Sequence, residues 1–178
     1  MQDEESLVLR AKEHDEAALT QLYEENFDKI YRYIVLKIGD RTEAEDMTQQ
    51  VFLKAFKSIS GYKIKGSPFS SWLFRIAHNQ IVDYWRKKSK QATVPLEETL
   101  VGSGDSNPSS DVERKMDMEN LVAATKQLTQ LQREVVSLRF AGGLSVAQVA
   151  RLMGKSEGAI KALQHSAVVS LRRMLATG

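Results

Sequence analysis

Residues 145–166, SVAQVARLMGKSEGAIKALQHS, decide the fold. Val146, Val149, Ala150 and Met153 return to one side at helical spacing, and Ser145 with Gln148 three residues on makes a capping-box start. Gly154 closes that short helix, because glycine takes the left-handed conformation without a Cβ penalty. Lys155 and Ser156 form the turn, and a longer helix follows with Ile160, Leu163, Ala167 and Leu171 inward. Short helix, tight glycine turn and second helix is the helix-turn-helix pattern. In that motif the exposed residues of the second helix enter the major groove, which places Glu157, Gly158, Lys161, Ala162, His165 and Ser166 at the contact positions. A plain αα-hairpin has the same outline. The basic balance of residues 118–178, eight bases against three acids, favours the polyanion-binding version.

Working outward, a helix from Leu128 carries Leu131, Val135 and Leu138 on one side, with Thr129 and Gln132 as its capping box and a break at Gly142-Gly143. Upstream, Leu19, Leu22, Tyr23, Ile30, Ile34 and Ile38 keep one face, as do Ala44, Met47, Val51, Ala55 and Ile59, where Thr42 with Glu45 suggests the helix start. No run alternates like a strand. Residues 91–117 hold Pro95, Pro108 and the run GSGDSNPSS, so they read as a flexible acidic linker. The expectation is an all-α chain of two helical domains, residues 5–90 and 118–178, joined by that linker.

Composition narrows the function. The 178 residues are 42% apolar and carry a formal net charge of +2, which suits a globular chain. No apolar window is long enough to span a bilayer and the opening residues are acidic rather than signal-like, so a cytoplasmic protein without membrane insertion is expected. There is no cysteine, hence no disulfide or thiolate metal site, and His14, His78 and His165 are scattered. A small helical nuclease or hydrolase built on Glu13, His14, Asp15 and Glu16 would need ligands converging on one site. Here they sit together at what reads as a helix start capped by Asp15. No metal, cofactor, small-molecule ligand or catalytic residue is expected.

Charge is segregated. Residues 1–46 carry 13 acids and 6 bases, whereas residues 47–90 carry nine bases against Asp83 alone. Within that basic segment, residues 69–88 (FSSWLFRIAHNQIVDYWRKK) interleave aromatic, amide and basic side chains, a composition that can stack unpaired bases and track phosphates. Phe69, Trp72, Leu73 and Ile76 also have core spacing, and Trp72 and Phe74 read as packing. Arg75, His78, Asn79, Arg86, Lys87 and Lys88 are the contact candidates. The preceding loop, residues 60–68, contains two lysines and Tyr62 and could shape a pocket for one extruded base. On the helix from Ala44 to Ile59, Asp46, Gln50, Lys54 and Lys57 lie opposite the apolar stripe. They form either a protein-docking face or, at its acidic start, a complement to the helix dipole.

Taken together, EAEDMTQQVFLKAF (residues 43–56), FSSWLFRIAHN (residues 69–79) and the helix-turn-helix, in that order with a linker between, resemble the extracytoplasmic-function (ECF) group of bacterial RNA polymerase sigma factors. The resemblance covers nearly the whole chain. It implies sigma region 2 over residues 5–90, a linker over 91–117, sigma region 4 over 118–178, and as partners core RNA polymerase, promoter DNA and an anti-sigma factor. It implies that Asp46, Gln49, Gln50 and Phe52 contact the polymerase clamp. For the opened −10 element it implies Asn79 and the loop from Tyr62 to Phe69, with Lys63 and Ser67, beside which Arg75, His78 and Lys88 are the contact candidates read from the helix face, and for the −35 duplex it implies Lys161, Ala162, His165 and Ser166. The chain departs from the family where Ser166 and Val168 replace common arginines and where Gln50 replaces a frequent glutamate. The rival reading is a stand-alone helix-turn-helix regulator, which would bind duplex DNA tightly without polymerase.

Overall fold

The computed structural model describes residues 4–64, 68–91 and 119–177, and every regular element among them is helical. In chain order these are α1 (Glu4–Lys12), α2 (Glu16–Ile38), α3 (Arg41–Lys57), a 3-10 turn (Ile59–Gly61) and α4 (Phe69–Gln91). Then come α5 (residues 119–125), α6 (Gln130–Val136) running into a π-helical segment (Ser137–Ala141), α7 (Val146–Met153) and α8 (Glu157–Thr177). Ser67 and almost all of the expected linker lie outside the described residues. No helix among the described residues is long and apolar enough to cross a membrane.

Local chemistry sets the boundaries. The Asp15 carboxylate accepts from the amides of Ala17 and Ala18 and starts α2, while Gly39, at φ 81°, closes it in the left-handed region. The next residue, Asp40, is extended and accepts from the Glu43 amide at 3.0 Å, so α3 begins at Arg41. This corrects the expected cap: Thr42 already lies inside the first turn, because the α2–α3 turn is only two residues long. The capping boxes at Thr129–Gln132 and Ser145–Gln148 are both present.

Helix α2 is the central element. Ile30, Tyr33, Ile34 and Val35 are wholly buried, and α1, α3 and α4 pack around it through Val8, Val51, Ala55, Leu73, Phe74 and Ala77. The C-terminal half does not stand apart from this bundle. Val135, Leu138, Leu144, Val149, Ala150 and Ile160 belong to the same continuous apolar cluster as Tyr33 and Phe74. Gly142 is where the halves fit most closely, since a Cβ there would lie 2.7 Å from Phe74 Cζ. Leu131, expected inward, is 45% exposed at the rim of this junction.

One acid is buried in the junction. Glu134 of α6 accepts a 2.6 Å hydrogen bond from the Tyr33 hydroxyl, is ion-paired with Lys37, and lies 3.7 Å from His78 Nδ1. Burial by itself would raise this carboxyl. The neighbouring His78 imidazole, the Lys37 charge and the Tyr33 hydroxyl outweigh burial and hold it down at about 2. The same contact acts on Tyr33 in reverse, where burial and then the neighbouring carboxylate push the phenol up. A carboxyl depressed in the folded state gives stability that is complete above its ordinary value of 4.5 and is lost as pH falls from there towards about 2. The urea midpoint is therefore expected to fall on acidification from about pH 6 to about pH 3, and to fall less in Glu134→Gln. Equal falls in both proteins would remove Glu134 from the acid response.

Candidate nucleic-acid and protein interface

The helix-turn-helix is assembled by short-range bonds. Ser145 Oγ accepts from the Gln148 amide at 3.1 Å while the Ser145 amide donates to Gln148 Oε1 at 2.8 Å. Gly154, at φ 66°, ends α7 with its amide donating to the Ala150 carbonyl, and the Lys155 amide donates to the same oxygen at 3.0 Å. Ser156 caps α8, its hydroxyl accepting from the Ala159 amide at 3.1 Å. Arg139 ties the motif to the preceding segment, donating to the Leu144 carbonyl and to Gln164 Oε1.

Helix α8 buries Ile160 and Ala167 and leaves Glu157, Gly158, Lys161, Ala162, His165 and Ser166 exposed together on the opposite face. Lys161 is the only lysine or arginine among them. Ser166 is already engaged, its hydroxyl accepting from Gln132 Nε2 at 3.0 Å and donating to the Leu163 carbonyl at 3.2 Å. That bond orients the start of α6 against α8, so Ser166 shapes the face as well as contributing to it.

In the N-terminal half, α4 turns Leu73, Phe74, Ala77 and Ile81 into the core and exposes Arg75, His78, Asn79, Trp85, Arg86, Lys87 and Lys88. Glu4 caps this helix from a distance, its carboxylate accepting from the Phe69 amide at 2.8 Å. Tyr62, Phe69 and Trp72 form an aromatic cluster with ring centroids 4.7 to 5.5 Å apart, and Lys12 holds the Tyr62 carbonyl at 2.7 Å. Phe69 is a correction. It is 1% exposed, sealed between Tyr62 and Trp72, so it supports the loop from inside rather than presenting a ring to a ligand. Tyr62 stays half-buried and Lys63 exposed at the loop's edge. Further along α4, Lys88 lies 5.2 Å over the Tyr84 ring, and Tyr84 donates to the Glu43 carboxylate; burial first, then that hydrogen bond and the carboxylate's charge, push the phenol up.

Arg75 and His78 also face the C-terminal half. With Trp85 they line a cleft of about 690 Å³ between α4 and the C-terminal half, opposite Leu131, Arg133 and Lys155. The side chains of Arg75, His78 and Trp85 all remain exposed within it.

On α3, Asp46, Gln49 and Gln50 are exposed, and Gln49 Oε1 accepts from the Tyr23 hydroxyl at 3.1 Å. Phe52 is the second correction. It is 2% exposed and packs edge-on against Tyr23 at 4.9 Å and beside Phe27 and Phe56, so it braces the face from within. Sequence reasoning passed over Leu53, which is 61% exposed and follows Gln49 and Gln50 by four and three residues on the same side. Its signal was an apolar residue outside the stripe formed by Val51 and Ala55.

Two family models match the chain, "Sigma-70 region 2" over residues 22–91 and "Sigma-70, region 4" over residues 124–173. The ECF RNA polymerase sigma factor SigL of Mycobacterium tuberculosis is 31% identical over 161 residues, spanning 90% of both chains. The ECF RNA polymerase sigma factor BldN of Streptomyces coelicolor is 38% identical over 170 residues, and the match spans 95% of this chain but 64% of BldN. Among solved structures, CnrH in complex with the cytosolic domain of CnrY shares the fold, with TM-score 0.72 at 19% identity over 96% of each chain.

Proposed function

The chain belongs to the ECF RNA polymerase sigma factors, which act with core polymerase in promoter-specific transcription initiation, and from that membership we propose how its surfaces divide the work. The region over residues 118–178 reads the −35 element as duplex through the exposed face of α8, with Lys161 as its principal cation and Glu157, Gly158, Ala162, His165 and Ser166 around it. The region over residues 5–90 takes the opened −10 strand on Tyr62, Lys63, Arg75, His78, Asn79 and Lys88. Residues 91–117, including the acidic run, connect the two. Asp46, Gln49, Gln50 and Leu53 dock on core polymerase. The protein performs no covalent chemistry, works in the cytoplasm, and is held in check by an anti-sigma protein.

The single observation that carries this reading is the six-residue exposed face of α8 on a helix-turn-helix whose apolar side is anchored by the buried Val149, Ala150, Ile160 and Ala167. The weak cationic character of that face and the nearly balanced charge of residues 1–90 mean few phosphates are neutralised by the chain alone. Opening a base pair costs a few kcal/mol, which contacts to the extruded base must offset at the right sequence.

Asn79→Ala is expected to leave core polymerase binding intact and to reduce permanganate reactivity of −10 thymines in the holoenzyme complex; unchanged reactivity would remove Asn79 from the strand-contact surface. Lys161→Ala is expected to weaken holoenzyme binding at −35 and to lower the slope of log affinity against log salt by about one unit. An unaltered slope would place Lys161 off the phosphates.

A further inference from the structure

We propose that the cleft between α4 and the C-terminal half is a binding site for a small anionic amphiphile, a molecule whose apolar chain ends in a carboxylate. The site is independent of the sigma-factor reading, because it is built from the chain's own side chains and is tested on the chain by itself.

Charge in the cleft is one-sided. Lys37, Arg75, Arg133 and Lys155 line it against a single carboxylate among the described residues, Glu134, which is ion-paired with Lys37. Arg133 donates to the carbonyls of Thr125 and Lys126, so its charge has no acid to balance it. Arg75 and Lys155 have neither a hydrogen bond nor an ion pair among the described residues. Cations of one sign gathered in a concave site attract an anion. The planar fork of Arg75 matches a head group with two oxygens.

The remaining lining supplies the apolar wall. Val82, Trp85 and Leu131 are 49%, 43% and 45% exposed, three of the eight large apolar side chains left open to solvent among the described residues, and all three face this one cleft. Apolar surface gathered in this way marks a place where a ligand excludes water. Arg75, His78, Val82 and Trp85 follow one another at three- and four-residue spacing, so α4 presents a cationic end and an apolar end on one face. From Arg75 to Trp85 the helix rises about 15 Å at about 1.5 Å per residue. An extended chain of about ten carbons, with C–C bonds of about 1.5 Å, spans about 12 Å and so fits along it. The volume of about 690 Å³ is that of a small-molecule site. A protein helix about 10–12 Å wide would fill the same space with little more than one turn, so the dimensions favour a small ligand.

The probe is decanoate, added below micelle formation to the full-length chain carrying Trp72→Phe, which leaves Trp85 as the reporter because the chain has two tryptophans. Trp85 emission is expected to change saturably with a Kd of about 0.1 mM, suited to a ligand of about 12 non-hydrogen atoms, while helical circular dichroism stays constant. Acetate has only the head and decanol only the chain, and each is expected to bind at least about tenfold more weakly than decanoate. Lys155→Gln is expected to weaken decanoate about tenfold. Leu131→Asp, at an exposed position, removes apolar wall and sets a carboxylate against the head, and is expected to weaken it by at least about tenfold. The absence of a saturable change, decanol binding as tightly as decanoate, or an unaltered affinity in both Lys155→Gln and Leu131→Asp would overturn the site. Trp85 emission that ignores decanoate yet shifts with a synthetic acidic amphipathic helix would overturn it in favour of a protein partner.

Discussion

Phe74→Ala is expected to cost about 3–5 kcal/mol of stability, the range for removing a fully buried ring. Phe74 is wholly buried, meets Tyr33 edge to face at 5.3 Å, and fills the space that Gly142 leaves open. It therefore supports the α2–α4 packing and the seat of the C-terminal half together, and its loss should depress both. Urea unfolding followed by far-ultraviolet circular dichroism measures this, with Trp85→Ala as the control, because Trp85 is on the same helix and 43% exposed. A cost below about 1 kcal/mol for Phe74→Ala would mean that the shared core does not form in solution.

Combining Asp46→Lys with Leu53→Ala is expected to weaken core polymerase affinity about 100-fold, roughly 3 kcal/mol. The two changes act by different means on the proposed docking face. Charge reversal replaces attraction with repulsion across the contact. Removing Leu53 deletes the large apolar side chain that stands 61% exposed beside Gln49 and Gln50, the kind of group a protein partner buries. Titration of labelled core enzyme gives the affinity, and Leu9→Ala, an exposed apolar residue on α1, serves as the reference. Affinity within threefold of the parent would return Asp46 to the role of complementing the α3 dipole.

What could be read from the sequence was local. Ser145, Gln148 and Gly154 act through neighbours three or four residues away, so the helix-turn-helix and the exposed side of α8 were legible before any tertiary contact was considered. The buried stripes of α2, α3 and α8 followed from 3.6-residue spacing for the same reason. The start of α3 was misplaced at Thr42 because Thr42–Glu45 and Asp40–Glu43 are both plausible caps, and only the two-residue turn after Gly39 selects the second. Phe52 and Phe69 were carried to the surface by family motifs, yet each is aromatic, and α3 and α4 need such bulk against α2 and the Tyr62 loop. The junction between halves was invisible. Tyr33 and Glu134 are 101 residues apart, and nothing in either local pattern points to the other. The one hint is that Glu134 is an acid beside Val135, in a basic half of the chain, at a position that turns out to be buried.

Electrophoretic mobility of a duplex promoter, measured with this chain alone and again with bacterial core polymerase, addresses the central claim most directly. The expected result is no shift at physiological salt below micromolar protein for the chain by itself, and a stable shifted complex with permanganate-reactive −10 thymines only when core is added. Tight binding of the unopened duplex by the chain alone, with no change on adding core, would contradict it and favour a stand-alone helix-turn-helix regulator.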